Sequence, residues 1–252
     1  MAEDFSKIYS EERKKEDKET LWVYYVTRPV SFLITPLFLR LGFSANQVSV
    51  LGMEIGALSA IFMIVGDYWL VLVGTILLEL WLVLDSVDGN VARYRKTPTL
   101  LGKFLEEVDG AMMSALFFTS IGFAASKIPG FLPKFLNFPF YIFIILGILT
   151  SFLVIFRHLI TVHYNYIFSD SKQYSPEDTF NKSSISFLYN IAIKFLGIYS
   201  LAQPLLIIAA MFNFLGIYTI VYFSMHLMVT IGTISLLFSK AKKQSQKASN
   251  IG

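Results

Sequence analysis

The chain has 252 residues, of which 55% are hydrophobic and only 15% charged, and its formal net charge is +3. A soluble domain is about 45–50% apolar and about 25% charged, so this composition excludes an ordinary water-soluble domain. The absence of cysteine excludes disulfides, thiolate metal sites and cysteine nucleophiles.

The N-terminal part of the chain changes from charged to apolar. Residues 1–20 carry too much mixed charge to bury, which predicts a solvated helix or disorder. The first 27 residues are charged rather than hydrophobic, so no cleavable signal peptide is expected. Residues 24–43 are apolar but short, contain Pro29 and Pro36, and are bordered by tyrosine and arginine. This pattern predicts an amphipathic helix lying in the membrane interface. The alternative is a seventh span, although the two prolines and the short apolar length make a poor crossing.

Six apolar runs follow, and each is long enough for a spanning helix, which needs about 20 apolar residues. They cover residues 47–66, 69–92, 101–125, 138–162, 186–210 and 213–238. We therefore predict an all-α integral membrane protein with six transmembrane helices, preceded by the interfacial amphipathic helix. The expected organisation is a charged segment at 1–23, a membrane domain at 24–239 and a basic tail at 240–252.

Lysine and arginine outside the predicted spans lie mainly on one side. They occur in the N-terminal segment, the second and fourth connections and the tail, whereas the other side has Lys127 and Lys134. Cytoplasmic loops are enriched in these residues. We therefore expect both termini and the second connection to be cytoplasmic, in a multi-pass protein of the cell (inner) membrane.

Two glutamates interrupt the first two spans. An ionisable group at membrane depth costs several kcal/mol unless it is paired or hydrated, so Glu54 and Glu79 are each expected to face the bundle interior. Glu54 would either line a polar cavity or form a structural hydrogen bond while protonated. Gly52 and Gly56 form a small-xxx-small pattern, which permits close helix packing.

Carboxylates concentrate where the second span ends and the third begins, in DSVDGNVARYRKTPTLLGKFLEEVDG, residues 85–110. Helical spacing of i, i+3, i+4 and i+7 places several of these residues on shared faces. The faces are Asp85, Asp88, Gly89 and Ala92 on the second span, and Gly102, Glu106 and Asp109 on the third. Clustered acids need a counter-charge, and hard oxygen ligands suit Mg²⁺, which suggests phosphoryl chemistry. The alternative is a solvated charged turn.

The same stretch resembles the signature of the CDP-alcohol phosphotransferase (CDP-alcohol phosphatidyltransferase) family, D-x2-D-G-x2-A-R-x8-G-x3-D-x3-D. The matching residues are Asp85, Asp88, Gly89, Ala92, Arg93 and Gly102. The order of elements also agrees with the family, which has an interfacial helix, six spans and the signature running from the second span into the third. RLGFSANQVSVL is similar to the segment before the first span, with Ala45 where proline is common.

The sequence departs from the signature at the last two acids. Glu106 stands at the third acidic position and Gly110 at the fourth. In the family the fourth acid is the proposed general base, which takes the proton from the acceptor hydroxyl, and glycine has no side chain for this. Asp109 lies three residues after Glu106, so we expect Asp109, or a shifted Glu106, to fill the role. Otherwise the chemistry is altered or lost.

The resemblance implies a transferase that moves a substituted phosphate from a CDP-linked alcohol, such as CDP-diacylglycerol, to an acceptor hydroxyl with release of CMP. It implies one or two Mg²⁺ or Mn²⁺ ions and an acceptor that is an alcohol or a phosphorylated alcohol. Membrane lipids and a second copy in a homodimer are the other expected partners, and no nucleic acid is expected. The metal ligands would be Asp85, Asp88, Glu106 and Asp109. The substrate-binding candidates are Gly89, Ala92, Arg93, Gly102, Lys103 and Arg157, with room for cytidine beside the first two.

Two rival functions are open. Membrane prenyltransferases also place Asp-rich motifs and Mg²⁺ on helices, but they need two separate motifs, and this chain has a single acidic cluster. The other rival is a non-catalytic relative that binds CDP-alcohol, metal or a partner without turnover, and Gly110 keeps this alternative open.

Overall fold

The computed structural model describes residues 9–135, 137, 139–168 and 196–249. All regular structure in these ranges is helical. The helices are α1 (Glu11–Glu19), α2 (Arg28–Arg40), α3 (Ala45–Val65), α4 (Tyr68–Arg95), α5 (Leu100–Lys127), α6 (Phe131–Phe135), α7 (Phe140–Phe168), α8 (Gln203–Met211) and α9 (Leu215–Ser249). Two π-helical turns, Val23–Thr27 and Ile198–Ala202, come directly before α2 and α8.

Five of the described helices, α3, α4, α5, α7 and α9, are long and apolar enough to cross a membrane. They coincide with five of the six predicted runs, and the chain is therefore a multi-pass membrane protein. The fifth predicted span, 186–210, is seen only from Leu196 onward, as the second π-helical turn and α8. Residues 186–195 lie outside the described residues, so the sixth crossing stays a prediction.

Local side chains determine where the first three long helices begin. Ser44 accepts a hydrogen bond from the Gln47 backbone N–H at 3.3 Å, and Gln47 accepts from the Ser44 N–H at 2.9 Å, which is a capping box at the start of α3. Asp67 and Thr99 cap α4 and α5 by accepting single hydrogen bonds from the backbone N–H groups of Leu70 and Gly102. The connections between these helices are very short. Consecutive helices therefore run antiparallel, and the end of α4 lies beside the start of α5.

The helix ends form two groups at opposite ends of the bundle. In one group, the start of α3 meets the end of α4, where the Ser49 hydroxyl donates to the Asp88 carboxylate at 2.6 Å. We call this the acidic end, comprising the start of α3, the end of α4 and the start of α5. In the other group, the Gly216 N–H of α9 donates to the Pro129 carbonyl after α5 at 3.1 Å.

The apolar core lies between the long helices. Trp81 of α4, Phe117 of α5 and Phe143 of α7 are each at most 1% exposed. Helix α3 packs closely on this core through its small residues, because a Cβ atom added to Gly56 would lie 3.2 Å from Trp81 Cδ1 and 2.7 Å from Met113 Sδ. The small-xxx-small pattern therefore serves close packing against α4 and α5.

The predicted orientation of Glu54 is wrong, because its side chain is exposed on the outer face of α3. Gly52 and Gly56 face the core, and a residue two positions from each of them points to the opposite side of a helix. The prediction for Glu79 is confirmed. Its carboxylate accepts hydrogen bonds from Trp22 Nε1 at 2.9 Å and from the Thr27 hydroxyl at 3.4 Å.

The prediction of a wholly solvated N-terminal segment is wrong for the part that the structure describes. Helix α1 forms, but Asp17 is only 5% exposed because its carboxylate binds the Arg28 guanidinium of α2. The Tyr9 ring centroid lies 5.8 Å from the same guanidinium. Burial, followed by the neighbouring Asp17 carboxylate, raises the pKa of Tyr9 to about 12. Residues 1–8 lie outside the described residues.

Helices α5 and α7 cross where Gly122 meets Gly147. A Cβ atom on Gly147 would lie 2.5 Å from the Phe118 carbonyl oxygen and 2.8 Å from Gly122 Cα, so an added methyl group forces the helices apart. We expect Gly147→Ala to lower the free energy of unfolding by about 1–3 kcal/mol. Denaturant unfolding in detergent measures this. Gly232→Ala on α9 is the matched control, because a Cβ atom there meets nothing within 4 Å. Equal stability of the two variants would contradict the close crossing.

Candidate active site

Helix α2 is held across the acidic end by buried polar side chains. Asn90 Nδ2 of α4 donates to the hydroxyls of Ser31 and Thr35, both at 3.1 Å, and Arg93 Nη2 donates to Asn90 Oδ1 at 2.9 Å. Asn90, Ser31 and Thr35 are at most 1% exposed. Buried polar groups are normally hydrogen-bonded, and here the bonds fix α2 against α4. These three residues were not predicted from the sequence, although Ser31 and Thr35 share one face of α2 by i, i+4 spacing.

Asp85 and Asp88 lie one helical turn apart on α4, and both are half-buried. The Ser49 hydroxyl orients Asp88 by donating to its carboxylate. The charges of Asp88, Asp109 and Glu106 all act on Asp85. Trp81, one helical turn before Asp85 on α4, donates to Asp109 of α5, so the structure brings an acid of α5 beside the two acids of α4.

The two acids that α5 contributes have different surroundings. Glu106 is exposed, as is its neighbour Glu107. Asp109 is 7% exposed, and Trp81 Nε1 donates to its two carboxylate oxygens at 3.1 and 3.0 Å. A donor shared between both oxygens orients the carboxylate as well as stabilising its charge. Asp109 is therefore the positioned acid of α5, and Glu106 is the solvent-accessible one.

The acidic end offers carboxylates as donors for the expected divalent metal. In the described ranges, no three Asp, Glu or His side chains form a group that is compact enough to hold an ion. The chemistry of the donors nevertheless fits a hard divalent cation, because carboxylates with mutually repelling charges need a positive counter-charge. Binding of Mg²⁺ or Mn²⁺ by Asp85, Asp88, Glu106 and Asp109 therefore stays a prediction.

The two glycines of the acidic stretch, Gly89 and Gly102, each lie close to a neighbouring side chain. A Cβ atom on Gly89 would be 3.1 Å from both terminal nitrogens of Arg93, so the guanidinium covers the face on which room for cytidine was expected. A Cβ atom on Gly102 would be 3.3 Å from Asn46 Oδ1 of α3, so this glycine lets α5 approach α3. Ala92 is half-buried beside Arg93.

The two other cations predicted to bind substrate, Lys103 and Arg157, lie on α5 and α7, whereas Arg93 lies on α4. Lys103 is exposed in the first turn of α5, at the acidic end. Arg157 Nη1 lies 3.5 Å from His226 Nδ1, which places Arg157 at the contact between α7 and α9. Binding of substrate by these two residues stays a prediction.

The comparison with known families identifies this arrangement. The sequence profile of the CDP-alcohol phosphatidyltransferase family matches residues 43–215, which include α3 to α8 and the whole acidic end. The chain belongs to this family. The resemblance drawn from the acidic stretch is thereby confirmed, and membership supports a phosphotransferase role in phospholipid synthesis. Among curated proteins, no sequence matches the chain.

Gly110 departs from the family signature in a place where packing does not require a glycine. A Cβ atom on Gly110 would meet nothing within 4 Å. The fourth signature acid is thus absent from a position that could hold it. The adjacent Asp109 is buried and oriented by Trp81.

We expect Trp81→Phe to lower the free energy of unfolding by about 2–4 kcal/mol, from the lost bonds to a charged acceptor and from the smaller ring. Denaturant unfolding in detergent measures the change. Trp69→Phe is the matched control, because Trp69 is 72% exposed. If Trp81→Phe were as stable as Trp69→Phe, Trp81 would not hold Asp109 in the way described.

Proposed function

We propose that this protein transfers a substituted phosphate group from a CDP-linked alcohol, such as CDP-diacylglycerol, to the hydroxyl of an alcohol or phosphorylated alcohol, and that it releases CMP. The observation that carries the proposal is the position of Asp85 and Asp88. Within the family-matched region, they lie in electrostatic range of the α5 acids. The reaction belongs to phospholipid or polar-headgroup synthesis.

In this proposal, the predicted site residues bind either the metal or the substrate phosphates. Asp85, Asp88 and Glu106 would hold Mg²⁺ or Mn²⁺, which would supply positive charge to the transferred phosphate and the leaving group. Arg93 turns from Gly89 toward the donor phosphates, beside Ala92. Lys103 and Arg157 are the further cations assigned to substrate.

Asp109 acts as the general base in this proposal. Trp81 keeps its carboxylate oriented, and the carboxylate takes the proton of the acceptor hydroxyl. The acceptor oxygen then forms a bond to the phosphorus of the substituted phosphate. The bond from that phosphorus to the oxygen of CMP breaks, and CMP leaves with the electron pair.

The membrane arrangement is part of the same proposal. The protein has six spans in the cell (inner) membrane, with both termini and the acidic end in the cytoplasm, and it is a homodimer by resemblance to the family. Helix α2 lies in the membrane interface. The faces of α2 support this, because Leu33 and Leu37 are 80% and 55% exposed, whereas Ser31 and Thr35 are buried against α4.

A second candidate function is binding of CDP-alcohol or metal without turnover. Gly110 favours it, because the position of the family's general base has no side chain. In that case Asp109, buried beside Trp81, would be a structural residue rather than a base.

CMP release by the purified protein in lipid tests the two candidates. Donors are CDP-diacylglycerol and other CDP-alcohols, each paired with pooled alcohols or phosphorylated alcohols, in Mg²⁺ or Mn²⁺. The transferase predicts release that needs both substrates and stops when EDTA removes the metal. No release from any pair, with CDP-alcohol still bound, would favour the second candidate.

A further inference from the structure

A buried arginine joins the N-terminal helix α1 to the acidic end. Arg28, the first residue of α2, is 3% exposed, and its partner Asp17 of α1 is 5% exposed. Arg28 Nε and Nη2 donate to the two carboxylate oxygens at 2.8 and 3.0 Å, which is a two-pronged ion pair. The third nitrogen, Nη1, is buried and has no hydrogen-bond partner within the described ranges. A buried donor without an acceptor is costly, so the ion pair leaves Arg28 incompletely satisfied.

The surroundings of Arg28 are those of an anion site. Hydrogen bonds connect it to Arg93 at the acidic end: the Ser31 hydroxyl donates to the Arg28 carbonyl at 2.8 Å, Asn90 Nδ2 donates to the same hydroxyl, and Arg93 Nη2 donates to Asn90 Oδ1. The positive charges of Arg28 and Arg13 and the negative charges of Asp88 and Asp17 all act on Arg93. Arg93 Nε is also buried without a hydrogen-bond partner in the described part of the chain. Two neighbouring arginines repel each other, and each has a buried donor in need of an acceptor. An anion with several oxygens would satisfy both.

We propose that Arg28 binds a phosphate group of the substrate and that Asp17 occupies the same guanidinium as a built-in competitor when substrate is absent. The inference rests on the proposed function, because it assigns the phosphate to the CDP-linked donor or to a phosphorylated acceptor. A carboxylate has two oxygens and leaves Nη1 unsatisfied, whereas a phosphate has an additional oxygen that can accept from it. Binding of the phosphate releases Asp17, and with it α1, from α2.

Kinetics of CMP release test the competition. Asp17→Asn keeps the shape of the side chain and removes its charge, so we expect KM for one phosphate-bearing substrate to fall about threefold or more, without a loss of kcat. Arg28→Lys lacks the planar fork, so the same KM should rise about tenfold. Donor and acceptor concentrations are varied separately, and the KM that moves identifies which phosphate Arg28 binds.

Glu11→Gln is the matched control, because it removes a charge from the same helix at an exposed side chain paired with Lys14. We expect it to change neither KM. If Asp17→Asn left both KM values unchanged or raised them, Asp17 would be a structural clamp and the proposal would be wrong. An unchanged KM in Arg28→Lys would overturn it equally.

Binding measurements separate this proposal from the proposed function, because they need no turnover. Calorimetry in lipid nanodiscs compares wild type and Asp17→Asn for CDP with Mg²⁺ and for inorganic phosphate. Tighter binding of either probe by Asp17→Asn, about threefold or more, would support the role of Arg28 even in a protein that releases no CMP. Equal affinities for both probes would contradict it even in an active transferase.

The unmodified protein offers a second readout that does not depend on the folding of a variant. Helix α1 contains trypsin sites at Arg13, Lys14, Lys15 and Lys18. We expect CDP with Mg²⁺ or inorganic phosphate to accelerate cleavage in α1, because release of Asp17 exposes the helix. No acceleration by either probe at saturation would count against the release of α1.

Discussion

Asp85→Asn is expected to reduce kcat for CMP release by about 10²–10³-fold, since loss of a metal-holding charge removes several kcal/mol of transition-state stabilisation. The substitution keeps the shape of the side chain. It also removes the negative charge of Asp85, on which the like charges of Asp88, Asp109 and Glu106 act. We therefore expect no loss in the free energy of unfolding. Initial rates over a Mg²⁺ titration measure the effect.

The control for Asp85→Asn is Glu107→Gln, because Glu107 is an exposed carboxylate next to Glu106 and has no place in the proposed site. It should release CMP at the wild-type rate. If Asp85→Asn were as active as Glu107→Gln at every Mg²⁺ concentration, Asp85 would not hold a metal that the reaction needs.

Asp109→Asn is expected to lower kcat by about 10²–10⁴-fold, which is the range for removal of a general base. Gly110→Asp in the same chain should recover about tenfold or more of the loss, because the family signature has an acid there and a Cβ atom on Gly110 meets nothing within 4 Å. Initial rates of CMP release under saturating substrates compare the single and double variants.

Gly110→Asn in the Asp109→Asn chain is the matched control, since it adds the same bulk at residue 110 without a carboxylate. It should recover nothing. Full activity of the single variant Asp109→Asn would show that Asp109 is not the base. Recovery by the asparagine control would show that bulk, and not charge, matters at residue 110.

The long helices and the acidic faces could be predicted because each depends on local pattern alone. An uninterrupted apolar run that is long enough to span the bilayer has few stable structures other than a helix. Five of the predicted runs are seen as helices of this length. The shared face of Asp85 and Asp88 follows from helical spacing in the same way. The prediction for Glu54 was wrong because it used only the general cost of an ionisable group at membrane depth and did not consider which face of α3 packs on the core. Gly52 and Gly56 already occupied the core-facing side of α3.

The contacts that complete the site could not be predicted, because they depend on which helices are neighbours. The bond from Trp81 to Asp109 requires α4 and α5 to face each other at that depth. The bonds from Asn90 to α2 require the chain before α3 to fold back across α4. The ion pair between Asp17 and Arg28 requires α1 to pack on α2, and nothing in the charged N-terminal sequence distinguishes Asp17 from its acidic neighbours.

The measurement that tests the central claim most directly is the stoichiometry of the reaction. Purified wild-type protein in lipid is incubated with a CDP-alcohol, an acceptor and Mg²⁺, and CMP and the phosphate-linked acceptor product are both quantified by mass spectrometry. The transferase predicts equal amounts of CMP and product, with neither formed when the acceptor is omitted. CMP without the product would mean hydrolysis, and the absence of both from every pair would mean a protein that binds without transferring.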